Sequence, residues 1–235
     1  MSKMAQEEIC WCSEVSAKFP ELIVCIGTLS NINVEKENDK LASLKGAVYA
    51  EVRATYDVEK LKDDLTVRAY RDFYWKLGID PTKTRPSGEA LLRRVLHGSE
   101  LPSISTVVDA YNLASMKTVV PMSGFDRDRL TPPFQVRFAK PNEVFTGIGM
   151  SKPMLLTDKT LLLTDADRIL CIYPYRDSDY AKITMQTRQA LVVGYGAPAI
   201  TEQQLRDAVD TALSCIKQVT GAQTGTVKVF NLTRK

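Results

Sequence analysis

Leu101–Asp126 reads LPSISTVVDAYNLASMKTVVPMSGFD, and this stretch decides how the rest of the chain is arranged. It is the least solvent-like segment of the sequence, yet Asp109, Asn112 and Ser115 interrupt its apolar run. A polar side chain taken out of water costs roughly 2–7 kcal/mol unless it finds a partner, so three of them in one run hold either a loop or a ligand. Tyr111 and Asn112 follow Asp109 within one helical turn or one short strand. About ten residues on, the PMSGFD turn brings a hydroxyl (Ser123), a flexible glycine (Gly124) and an acid (Asp126). An asparagine amide with nearby hydroxyls and backbone N–H groups can orient a water or a carbonyl without an ionisable nucleophile. The alternative is a polar network that ties a buried turn together, with Asp109 its foremost member.

Downstream of Lys117 the chain turns strand-rich. Residues 119–122, 134–139, 159–164, 168–173 and 188–193 are short, β-branched or alternating, and separated by Pro, Gly, Asp and Asn. Thr201 and Gln204 then spell a capping box. Leu205, Ala208, Val209, Ala212, Leu213 and Ile216 form the buried stripe of that helix, Gly221 ends it, and a last strand spans 226–232. Upstream, Ile9, Cys12, Val15 and Phe19 recur at helical spacing, and LIVCIGTL (22–29) reads as a buried strand. Leu41, Leu44, Val48 and Val52 mark a second helix; Leu61, Leu65, Ala69, Phe73 and Leu77 mark a third. Helices first and strands later is an α+β order, not a repeat of βαβ units. The expected organisation is a single domain over 1–235: a mostly helical N-terminal portion (1–65), a core (66–194), and a C-terminal helix and strand packed on it (195–235).

Composition narrows the chemistry. The 31 Lys and Arg against 28 Asp and Glu give a net charge of +3, which permits an anionic partner but is too balanced for a dedicated DNA-duplex binder. Five cysteines without a Cys-x-x-Cys pair indicate neither a disulfide framework nor a zinc ribbon. The acidic start MSKMAQEEICWC does not read as a leader, and the longest early apolar run falls short of the ~20 residues of a membrane span. A cytoplasmic protein with no metal and no cofactor is expected. The one histidine, His97, closes a helix before Gly98, a capping position, which speaks against a Ser-His-Asp triad or a histidine-rich metal site.

Around that helix, Ser87 reads as the N-cap, Leu91, Leu92, Val95 and Leu96 as its buried side, and Lys83, Arg85, Arg93 and Arg94 as an outward cationic set. The set is either a solvated face or a phosphate contact, since arginine forks and helix starts both suit phosphate oxygens. Gly194-Tyr195-Gly196-Ala197-Pro198-Ala199 only mimics a dinucleotide fingerprint, because Pro198 and the cap at Thr201 postpone the helix that would hold a pyrophosphate. Asp165/Asp167 reads as a turn. Asp177, beside Arg176, stands equally as a turn residue or as the rim of a charged pocket.

RPSGEALLRRVLHG, LPSISTVVDAYNLASM and VPMSGFD, in that order and spacing, resemble the tRNA-editing module in the beta subunit of bacterial phenylalanyl-tRNA synthetase, and still more the free-standing proteins built on that module. The match runs from about Thr66 to Gly194. The resemblance implies a layered β-β-α sandwich-like fold and a hydrolase that removes a wrong amino acid from the 3′ aminoacylated end of a tRNA. It implies a pocket of Tyr111, Asn112, Ser123 and Thr187 around a positioned water. Asp109, Asp126, Arg176 and Asp177 would meet the substrate, and Lys83, Arg85, Arg93 and Arg94 the RNA. Ser123 stands where the family has histidine, and Val193 falls near the family's acid that reads the tyrosine hydroxyl. Tyr175-Arg176-Asp177-Ser178 replaces a glycine-rich stretch. A module that binds RNA or a free amino acid without catalysis is the alternative. The ATP-binding motifs of a class II synthetase core are absent from these residues, so no charging of tRNA is expected.

Overall fold

The computed structural model describes residues 8–232; most of the acidic start, residues 1–7, lies outside it. In chain order the elements are β1 (Ile9–Trp11), α1 (Ser13–Lys18), β2 (Val24–Ser30), α2 (Asp39–Thr55), α3 (Leu65–Lys76), α4 (Ser87–Leu96), α5 (Thr106–Thr118) and β3 (Met122–Asp126). They continue with β4 (Phe134–Phe138), β5 (Val144–Phe145), β6 (Met154–Leu155), β7 (Leu161–Thr164), β8 (Ile169–Ile172), β9 (Arg176–Asp177), β10 (Ala190–Tyr195), α6 (Glu202–Thr220) and β11 (Gln223–Phe230). Two sheets carry the core, ordered β11-β2-β10-β3 and β1-β4-β7-β8-β9, and β5 pairs with β6 in a short hairpin.

Strand alternation assigns the faces of the first sheet. Gly27 of β2 and Gly194 of β10 lie under α6; a Cβ on either would come within 2.7 Å of Val209. Glycine there lets helix and sheet close to contact. Val193 and Tyr195 point the other way, where the Tyr195 ring meets Tyr173 of the second sheet at 4.8 Å between centroids. Helices, first sheet and second sheet therefore stack as three layers, the β-β-α arrangement implied by the resemblance. Among the described residues no helix is long and apolar enough to cross a membrane.

Local chemistry explains most elements. Asn38 caps α2, whose Leu41, Leu44, Val48 and Val52 are buried. Thr201 and Gln204 form the reciprocal capping box of α6, and Gly221 closes it at φ 72°. His97 stands at the end of α4 ahead of Gly98 at φ 85°.

Several expectations need correction. Ile9–Trp11 is a strand parallel to β4, so the first helix shrinks to Ser13–Lys18, and the first 65 residues supply a strand to each sheet. The register of α3 is set by Asp64, which accepts from Thr66 and Val67; that leaves Leu65 82% exposed and buries Val67, Tyr70 and Tyr74 in its stead. Pro86, not Ser87, occupies the cap position of α4, without a side-chain bond. Val119 ends α5 in the left-handed region at φ 59°, and the following strand begins only at Met122. The C-terminal strand β11 is itself part of the first sheet, beside β2.

Candidate functional site

The opening stretch becomes α5 followed by β3, and β3 is the outer strand of its sheet. Tyr111, buried on α5, lays its ring over Gly124; a Cβ there would lie 2.6 Å from the ring. Burial, then the charges of Asp177 and Asp109, push its phenol well above the ordinary range, with the Gly124 backbone acting in the opposite direction. The free edge of β3 is overlaid by the loop between β9 and β10: Lys182 bridges Phe125, and the Asp126 N–H donates to Ala181 O at 2.8 Å.

On the opposite face of β3, register places Ser123 directly across from Val193. The Ser123 hydroxyl donates to the carboxylate of Asp177, which β9 delivers from the second sheet. Behind it the Tyr195 hydroxyl donates to Ser123 Oγ at 2.9 Å, and Cys171 Sγ lies 3.1 Å from Tyr195 Oη. A chain of four polar groups thus runs between the sheets to Asp177. Burial pushes the Asp177 carboxyl up to about 7, against the opposing effect of the Ser123 hydrogen bond. Burial likewise raises the Cys171 thiol and the Tyr195 phenol. Val193 carries no acceptor, and Asp177 brings a carboxylate to the serine that faces it.

The raised carboxyl has a measurable consequence. Between its unfolded value of 3.8 and about 7 the native state keeps a proton that the unfolded chain releases, so this group lowers stability as pH rises through that window. Asp177→Asn removes the buried charge. Its urea-unfolding stability is expected to exceed the parent's by about 1–2 kcal/mol at pH 8, discounted for partial exposure, with the advantage shrinking toward pH 5. Equal differences at both pH values would contradict this account.

The remaining expected residues separate by what their side chains meet. Asn112 is half-buried on α5, and its amide makes no hydrogen bond with any of the described residues. Thr187 is buried; it donates to Asp126 at 2.7 Å and accepts from the Thr184 N–H at 3.0 Å. Asp126 also accepts from the Asp128 N–H at 3.2 Å, so the pair pins the loop to the end of β3. The structure gives Asp109 to the start of α5: it accepts from the Ile104 N–H at 2.9 Å and from Lys45 at 2.7 Å, ion pair and loop clamp together. Asp165 accepts from the N–H groups of Asp167 and Arg168 at 2.9 and 2.7 Å, the expected turn.

Of the cations, Arg93 does not face outward freely. Glu89, buried in α4, takes its Nε at 2.6 Å and the Arg71 Nε at 2.8 Å, with Arg85 at 3.9 Å. Arg94 is exposed and donates to Glu100 O at 2.6 Å, and Lys83 lies 3.8 Å from Asp80. Arg176 packs its stem on Gly147, where a Cβ would come within 2.6 Å, and its guanidinium lies 5.4 Å from the Tyr175 ring centre. Sequence reading missed Cys171, Tyr195 and Glu89. A tyrosine between two glycines was the one local sign, because flanking glycines leave room for a large ring.

Comparison with known proteins adds to this geometry. The B3/4 domain matches residues 69–221. The beta subunit of phenylalanine–tRNA ligase from Nitrosococcus oceani is 30% identical over 111 residues, 47% of this chain and 14% of that subunit. The Haemophilus ducreyi subunit is 27% identical over 43% of the chain and 13% of its own length. The chain thus corresponds to a small fraction of these relatives. Among solved structures, an N-terminal fragment of the phenylalanyl-tRNA synthetase beta subunit from Pyrococcus horikoshii superposes with a TM-score of 0.50 at 12% identity. That superposition covers 94% of this chain and 50% of the fragment, a likeness of fold.

Proposed function

The chain belongs to the B3/4 domain family, and on that premise we propose that it is an editing hydrolase acting on the 3′ aminoacylated end of a tRNA that carries a wrong amino acid. The observation that supports this reading most is Asn112. Its side chain has no hydrogen-bond partner among the described residues, and an amide has both the donors and the acceptor needed to fix a water. Tyr111 shapes the wall beside it and Thr187 holds the loop over β3. Ser123 and Asp177 receive a polar group of the amino acid. The attacking water is held by the amide and by a hydroxyl of the terminal ribose; with the single histidine at the end of α4, no protein imidazole takes part. Lys83, Arg85 and Arg94, with Arg176 nearer the site, meet the phosphates, which set affinity more than selectivity.

The test is a panel of tRNAs mischarged with different amino acids, incubated with the chain, with release of free amino acid followed over time. Release from at least one member, far above spontaneous hydrolysis, is the expected result. Binding across the panel without release would overturn the hydrolase and leave a module that holds RNA or an amino acid.

A further inference from the structure

A cleft lies apart from the Ser123–Asp177 pair, and we infer that it binds a small amphipathic anion: an aromatic or aliphatic body carrying one carboxylate or phosphate. The cleft has a volume of about 340 Å³, at the small end of the roughly 300–1,000 Å³ found for small-molecule sites. Leu77 and Ile79, just after α3, line it together with Leu161 of β7, Ile172 of β8 and Met154 of the hairpin. At the rim Met154 remains 39% and Tyr175 38% exposed, apolar surface that a bound hydrocarbon or ring would cover.

The polar side chains of the lining are Thr84, Thr157, Lys159 and Thr160, with Tyr173 and Tyr175. The turn between β6 and β7 is fixed by Thr160 N–H donating to Thr157 O at 2.9 Å, with the two hydroxyls 3.2 Å apart. Both threonines and Lys159 line the cleft. Lys159 makes no ion pair with any of the described residues, and no carboxylate lines the cleft beside it. An unpaired ammonium with neighbouring hydroxyls in an otherwise largely apolar cleft matches an anionic head and an apolar tail. A cation would meet repulsion. The inference does not depend on the hydrolase reading, since none of the residues assigned to catalysis lines this cleft.

The test uses the full chain and three probes: 4-phenylbutyrate, its uncharged analogue 4-phenylbutanol, and AMP, with binding followed by calorimetry and by chemical shifts of Met154. The expected result is saturable binding of 4-phenylbutyrate or AMP that Lys159→Glu weakens by three- to tenfold or more, with 4-phenylbutanol binding unchanged by the substitution. Preference for one acid over the other identifies the source as an organic acid or a nucleotide. Lys159 is exposed, so the variant folds; Lys159→Gln serves as a neutral intermediate. Absence of saturable binding by both acids, or equal affinity of parent and Lys159→Glu for them, overturns the proposal.

Discussion

Replacing Asn112 by alanine is expected to slow release of the esterified amino acid by about 100-fold or more, while affinity for tRNA stays within a few-fold of the parent. The two effects part because the groups involved lie on different elements. On the proposed reading the Asn112 amide, on α5, would act only on the water and the ester, whereas affinity for the tRNA would come from cations on the approach to α4 and along it. Stability should hardly change, since the amide has no internal partner to lose. Single-turnover deacylation beside filter binding checks this. A variant that releases at the parent's rate would remove Asn112 from the reaction, and a parallel fall in affinity would make it a binding residue.

Replacing Glu89 by alanine is expected to lower stability by about 2–4 kcal/mol, read as a shift of the urea midpoint. Breaking a buried ion pair costs about 3–5 kcal/mol, moderated here because the Arg71 and Arg93 side chains are 23% and 20% exposed and can recover some hydration. Glu89 joins α3 to α4 through Arg71 and also binds Arg93 one turn along α4. Its removal leaves two guanidinium groups facing each other. Burial alone would raise the Glu89 carboxyl, but the hydrogen bonds and charges of Arg71 and Arg93 bring it below its ordinary value. A depressed native pKa stabilises above the unfolded value of 4.5 and ceases to do so as pH falls through the native one. The deficit of Glu89→Ala should therefore narrow in acid, opposite in sense to the pH effect at Asp177. A pH-independent deficit would point to lost packing in place of lost charge.

What could be read from the sequence, and what could not, follows from how local each cause is. The capping box at Thr201, the stripe of α6 and the glycine at 221 are complete within one element, and the structure keeps them. The buried face of α2 is equally local. Val119 and Val120 look like strand because they are β-branched, yet contact from far along the chain decides their conformation: a Cβ at Gly88 would lie 2.6 Å from the Val119 carbonyl carbon, so α4 and the end of α5 fix each other. Leu65 fits the four-residue spacing of Leu61, Ala69 and Phe73, which are buried, but as the first residue after the Asp64 cap it stands at the open end of the helix. Asp177 sits in a run that looks like a turn, and its partner Ser123 lies 54 positions away. Only the sheet-on-sheet packing brings them together. The polar run of the opening stretch was visible, but which of its members face inward to the chain, as Asp109 does, and which are left unpaired, as Asn112 is, depends on neighbours in other elements.

The marginal place of β3 in its sheet has an evolutionary meaning. The loop that overlies it is fastened by a few ties, the Lys182 bridge, the Ala181 carbonyl and the Thr187–Asp126 pair. Insertions or exchanges at its exposed positions can alter the cover of β3 while the two-sheet frame persists, so lineages carrying this architecture can vary one edge without rebuilding the core.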